Sequence, residues 1–103
     1  MLAFLKKLFG VTSVDFKELV SNGAVILDVR SVNEFKSGHI SGSKNFPVEN
    51  IRNKISDIKK LNKPVITVCR SGARSGMAKS ILKAAGLEVY NGGPWTSLQS
   101  KIR

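Results

Sequence analysis

Cysteine, histidine, tryptophan and tyrosine each occur once in these 103 residues. A single thiol excludes an intramolecular disulfide, and one thiol with one imidazole leaves too few ligands for a structural zinc site or a multi-histidine metal centre. A lone cysteine suits a reducing compartment, and the cytoplasm is the expected location. Acidic residues are also scarce, seven against seventeen lysines and arginines, for a formal charge of +10 that attracts anions. Long apolar runs are missing as well. In the opening segment Met1–Gly10 the longest uninterrupted run is residues 1–5, too short for a signal core or a membrane span. That segment is expected to be amphipathic or frayed, lying on the surface or packing back on the domain. The basic residues are spread along the chain without an aromatic stacking or groove-binding pattern, so nucleic acid is not an expected partner and small anions are.

The chain does carry the apolar content of a globular protein, 42%, in a length that fits one small domain. Thr12 or Ser13 can cap a helix running to about Asn22, which Gly23 ends. The continuous run Ala24–Val29 has strand length and the composition of a strand covered on both faces. From Ser31 to Pro47 the pattern gives a short helical turn near Asn33–Lys36 and then loop. Val48, Ile51, Ile55 and Ile58 recur at helical spacing and predict one helix to Leu61, with Pro64 breaking it before a second strand that ends at Cys69. Next come a helix with Ala78, Ile81, Leu82 and Ala85 on its inner face, a short strand Leu87–Tyr90 and a last helical piece around Trp95–Ile102. Strands alternating with helices give an α/β fold with a mostly parallel sheet and helices on both faces. Cys69 and the Asp28–Arg30 stretch then share the carboxyl edge, where such sheets bind ligands.

A lone cysteine at the end of a strand is ordinarily a small buried hydrophobe. The residues after Cys69 argue for chemistry instead. Ser71, Gly72, Ala73 and Ser75 are small enough for main-chain amides to approach an anion, Arg70 and Arg74 add guanidinium charge, and a helix begins just beyond. All three favour the thiolate, the reactive form of a thiol. Arg74, near the helix start, has a second reading as one half of an ion pair with a carboxylate.

The run Cys69-Arg70-Ser71-Gly72-Ala73-Arg74-Ser75 resembles the active-site loop of rhodanese-type sulfurtransferases. Asp28-Val29-Arg30, Glu34-Phe35, Gly38-His39-Ile40-Ser41-Gly42-Ser43 and Asn45-Phe46-Pro47 resemble that family's N-terminal signature, and Gly92-Gly93 with Trp95 its C-terminal one. The likeness covers residues 11–103, taken as the domain, and implies a central sheet of about five strands. It further implies transfer of a sulfane sulfur from thiosulfate, through a persulfide on Cys69, to cyanide or a thiol, with no metal and no organic cofactor. Arg70 to Ser75 are then assigned to binding the anionic donor. Asp28 and Arg30 are assigned to supporting the loop, with Glu34 as a partner of Arg30. His39 is expected to be structural, since a low-pKa thiolate needs no base, and Trp95 to be a core anchor. Two alternatives use the same cysteine. One is a persulfide carrier or binding module serving a protein partner. The other is a cysteine phosphatase, disfavoured because those enzymes place five residues between cysteine and arginine, whereas four separate Cys69 from Arg74. A monomer is expected.

Overall fold

The computed structural model describes residues 13–103, so the opening segment 1–10 and Thr12 lie outside the described residues. Four strands form one parallel sheet in the order β2-β1-β3-β4, with β1 at Val25–Asp28, β2 at Lys44–Asn45, β3 at Val65–Cys69 and β4 at Val89–Pro94. Helices α1 (Phe16–Ser21), α2 (Val32–Ser37), α3 (Ile55–Leu61), α4 (Ala73–Ala84) and α5 (Trp95–Lys101) complete it, with a 3-10 helix at Val48–Lys54. The sheet thus has four strands among the described residues rather than about five, and its parallel α/β plan is the expected one.

The apolar runs of β1 and β3 are covered on both faces, which is why neither alternates with polar residues. On one face Leu27, Val65 and Cys69 pack with Ile51, Ile58, Ala78 and Leu82 from the 3-10 helix, α3 and α4. On the other, Ile26, Ile66 and Val68 pack with Leu98, Phe16, Leu19 and Ile102 from α5 and α1. Each fully buried aliphatic side chain contributes about 1.5–3 kcal/mol. Among the described residues no helix is long and apolar enough to cross a membrane.

Local chemistry shifts several boundaries. Asp15, not Thr12 or Ser13, caps α1, its carboxylate accepting from the Glu18 amide at 3.0 Å. The expected turn at 33–36 is a full α2, because Ser31 and Glu34 close a reciprocal capping box. The expected single helix over 48–61 divides at Lys54, whose backbone (φ −107°, ψ 0°) leaves the helical region. The last strand runs on through Gly92-Gly93-Pro94 by means of a bulge. Thr67 faces Asn91, Val68 faces Gly93, and Gly92 is skipped. A Cβ at Gly92 would stand 2.9 Å from both Ile66 Cγ2 and Val68 Cγ1, so any larger residue would have to displace them.

Candidate active site

Strand β3 delivers Cys69 to the carboxyl edge of the sheet, and the chain then turns through Arg70 and Ser71 into α4. Gly72 caps that helix at φ +103°, a left-handed conformation open to glycine, and its Cα side lies against β4, where an added Cβ would be 3.5 Å from Gly93 Cα. The turn folds the loop amides back onto the sulfur. Sγ of Cys69 accepts the Gly72 N–H at 2.9 Å and the Ser75 N–H at 3.4 Å, and the Ser75 hydroxyl oxygen is 3.4 Å away. Burial pushes the thiol up, but hydrogen bonding with the Ser75 hydroxyl and with the amides of Ser75, Gly72 and Ser71 outweighs it, leaving Cys69 more acidic than an ordinary thiol at 9.0. Cys69 exposes no surface and belongs to the core cluster, so the bland reading holds for its packing, while the converging amides give it a chemistry that packing alone does not require.

Ser75 is equally buried and is held at two points. The Thr67 hydroxyl donates to its carbonyl at 2.9 Å, and its own hydroxyl donates to Asn91 Oδ1 at 2.7 Å. Sequence reasoning misses Asn91. The only signal there is a polar residue ahead of a double glycine, and its place beside Ser75 comes from the β3–β4 register.

The two loop arginines part company. Arg70 is exposed and forms no ion pair among the described residues. Arg74 is gripped by Glu34, Nη1 to Oε1 at 2.7 Å and Nη2 to Oε2 at 2.9 Å, so the structure favours its second reading, as half of an ion pair. The Arg74 guanidinium, followed by the Ser31 amide, draws the Glu34 carboxyl down to about 2 against the opposing effect of burial. The same bonds raise Arg74, which also feels the charge of Cys69 and Glu49.

The expected pairing of Glu34 with Arg30 is therefore corrected: the Glu34 carboxylate binds Arg74, and Arg30 reaches only the Glu34 carbonyl. Arg30 instead forks onto Asp28, with Nε 2.9 and 3.0 Å from the two carboxylate oxygens and Nη2 2.7 Å from Oδ2. This pair is buried, and Arg30 also donates to the carbonyls of Gly38 at 2.7 Å and Glu34 at 3.3 Å while its Cζ lies 4.8 Å from the Trp95 ring centroid. Asp28 and Arg30 thus reach the loop through α2. They hold the backbone of Glu34, and Glu34 holds Arg74. Trp95 packs half-buried on the α1/α5 side of the core. His39 stacks on Phe35 with ring centroids 3.7 Å apart, and its Nδ1 is 2.8 Å from the Phe35 carbonyl. Among the described residues no three His, Cys, Asp or Glu side chains come together as a metal site would need.

A parallel α/β sheet that ends a central strand in a cysteine under a tight ring of amides is the architecture of a rhodanese domain. The chain belongs to that family, the Rhodanese-like domain, whose profile matches residues 12–94. Protein YqhL of Bacillus subtilis is 39% identical over 69 residues, covering 66% of this chain and 54% of its own, so the chain spans about half the length of that relative. The thiosulfate sulfurtransferase GlpE of Ectopseudomonas mendocina is 38% identical over 76 residues, 73% of this chain and 69% of its own. Among solved structures, reduced Bacillus anthracis CoADR-RHD superimposes with a TM-score of 0.73 at 29% identity, over 87% of this chain and 16% of that one.

Proposed function

We propose that this chain is a sulfurtransferase that carries a sulfane sulfur on Cys69. The observation that supports it most directly is the convergence of the Gly72 and Ser75 amides on Sγ, at 2.9 and 3.4 Å, which stabilises negative charge at that atom. The Cys69 thiolate attacks the outer sulfur of thiosulfate. A bond forms between the two sulfurs, the S–S bond of thiosulfate breaks, and its electron pair leaves with sulfite. The terminal persulfide sulfur then carries the negative charge, so no proton has to move. In the second step cyanide, or the thiolate of a small or protein acceptor, attacks that terminal sulfur and the electron pair returns to Cys69. Exposed Arg70 meets the incoming anion and the departing sulfite, while Arg74, anchored by Glu34, contributes a fixed positive field beside the sulfur. Asp28 and Arg30 hold the segment from which Glu34 acts.

The loop geometry favours this reading over phosphate ester hydrolysis. Amides that close on the sulfur itself suit a one-atom guest better than a tetrahedral phosphoryl group, and the loop is one residue short for it. Incubation with thiosulfate, followed by intact-mass measurement, tests the proposal. We expect the mass to rise by one sulfur atom, cyanide to remove that atom as thiocyanate, and Cys69→Ser to abolish the gain. A mass that does not change with thiosulfate would refute a thiosulfate-fed transferase.

A further inference from the structure

The hydroxyl of Ser75 has one proton and two neighbours able to accept it. Asn91 Oδ1 lies at 2.7 Å and Cys69 Sγ at 3.4 Å, and both Ser75 and Cys69 are without exposed surface, so bulk water does not compete. While the sulfur carries its proton the three groups form a consistent chain, in which the thiol donates to Ser75 and Ser75 donates to Asn91. Once the thiol ionises, the hydroxyl can serve the sulfur only by turning away from Asn91.

The orientation of Asn91 is fixed. Its Nδ2 donates to the Gly72 carbonyl at 3.2 Å, and its Oδ1 accepts the Gly93 N–H at 2.9 Å. Exchanging the amide oxygen and nitrogen would set oxygen against a carbonyl and NH2 against an N–H, so Oδ1 must face Ser75. Gly76 makes room for this side chain, since a Cβ there would lie 3.3 Å from Asn91 Nδ2. The bulge at Gly92 lets Asn91 pair with Thr67 on the α4 side of the sheet and Gly93 turn back to its amide.

We propose that Asn91 is a positioning residue for Cys69 that acts through Ser75: by holding the Ser75 proton it limits how much that hydroxyl donates to the thiolate. The inference rests on the reading of Cys69 as a thiolate nucleophile, and it deepens that reading by naming a group that sets the sulfur's reactivity from a neighbouring strand. The charged groups near the sulfur are Arg70 and Arg74 on its own loop and helix, Glu34 on α2, Glu49 on the 3-10 helix packed against α4, and the paired Asp28 and Arg30 on and beyond β1. Strand β4 carries no charged side chain, and its one titratable group, Tyr90, bonds to Glu88. Asn91 therefore acts by hydrogen bonding alone.

Cys69 is the sole cysteine, so the pH midpoint of its alkylation by iodoacetamide reads the ionisation of that thiol alone, because limited access to the covered sulfur scales the rate at every pH, and it does so without reference to sulfur transfer. We expect Ser75→Ala to raise the thiol pKa and Asn91→Ala to lower it, the two shifts together spanning roughly one to two units, the worth of one hydrogen bond to a charged group. In a Ser75→Ala background, Asn91→Ala should shift nothing further. If Asn91→Ala does not unfold cooperatively in urea, Asn91→Leu, which keeps the branched shape and removes both polar atoms, is measured in its place. An unchanged or raised pKa in the single Asn91 variant, or a shift of equal size with and without Ser75, would overturn the proposal. Failure of thiosulfate to load the wild-type protein would leave this titration unaffected, so the two readings fail separately.

Discussion

Glu34 and Arg74 meet through two parallel hydrogen bonds of 2.7 and 2.9 Å although they stand 40 residues apart in the chain. The contact joins α2 to the first turn of α4, so the loop that surrounds Cys69 is tied at its far end to a separate element. Forked pairing of this kind fixes direction as well as distance, which lysine in place of Arg74 would not reproduce.

Removing the Glu34 carboxylate should therefore loosen the loop more than it destabilises the fold. The pair is about one-third exposed on both sides, so Glu34→Gln should cost only about 1 kcal/mol or less. The carboxyl titrates near 2 when folded and at an ordinary 4.5 when free. Its depressed value means the stabilisation is present above 4.5 and fades as the pH falls toward about 2. Urea unfolding of wild type and Glu34→Gln should differ most at neutral pH and converge in that acid window. A difference that persists undiminished at low pH would remove the ion pair as its source.

Arg70 and Arg74 should separate in a pair of variants. Arg70→Ala removes an exposed cation that forms no ion pair among the described residues, so kcat/KM for thiosulfate should fall roughly tenfold or more, the scale of a lost bond to a charged group, with the unfolding midpoint unchanged. Arg74→Ala strands Glu34 and should lower the midpoint as well. Steady-state kinetics beside thermal unfolding measures both. Equal losses of stability in the two variants would contradict the division of roles.

The acidity of Cys69 gives a third expectation. Alkylation should rise with pH to a plateau whose midpoint lies below 9.0. Because the folded value is lowered, the thiolate's contribution to stability is complete above 9.0 and disappears as the pH falls through the folded value. A midpoint at or above 9.0 would mean that desolvation outweighs the amides.

Gly92→Ala tests the bulge. The new methyl would press on Ile66 and Val68 at 2.9 Å and on the Thr67 carbonyl at 3.1 Å, inside a packed sheet. A loss of about 1–3 kcal/mol is expected, as for other overpacked interiors. Chemical denaturation measures it directly. A neutral result would show that β3 and β4 can part without cost.

Much of this arrangement is legible in the sequence because it is local. The run from Val65 to Cys69, the small residues after it and Pro64 before it contain the strand, the turn and the helix start within a dozen positions. Ser31 and Glu34 carry a readable capping signal as well, yet proximity in the chain matches Glu34 with the nearer arginine, Arg30. Its true partner is decided by the approach of α2 to α4, which only the folded sheet order creates. Asn91 is hidden for a related reason. Its role depends on a one-residue slip in the β3–β4 ladder, and the double glycine marks an irregularity there without telling which residue is skipped. The two-residue strand β2 is invisible because Lys44 and Asn45 have no strand preference of their own and are held by pairing to β1.

The sheet also ends on blunt margins among the described residues. One border is only Lys44 and Asn45, and the other is bent by Gly92 and closed by Pro94, which has no N–H to offer. A neighbouring molecule looking for a backbone to zip onto finds a two-residue border on one side and a kinked one on the other, features that discourage edge-to-edge growth.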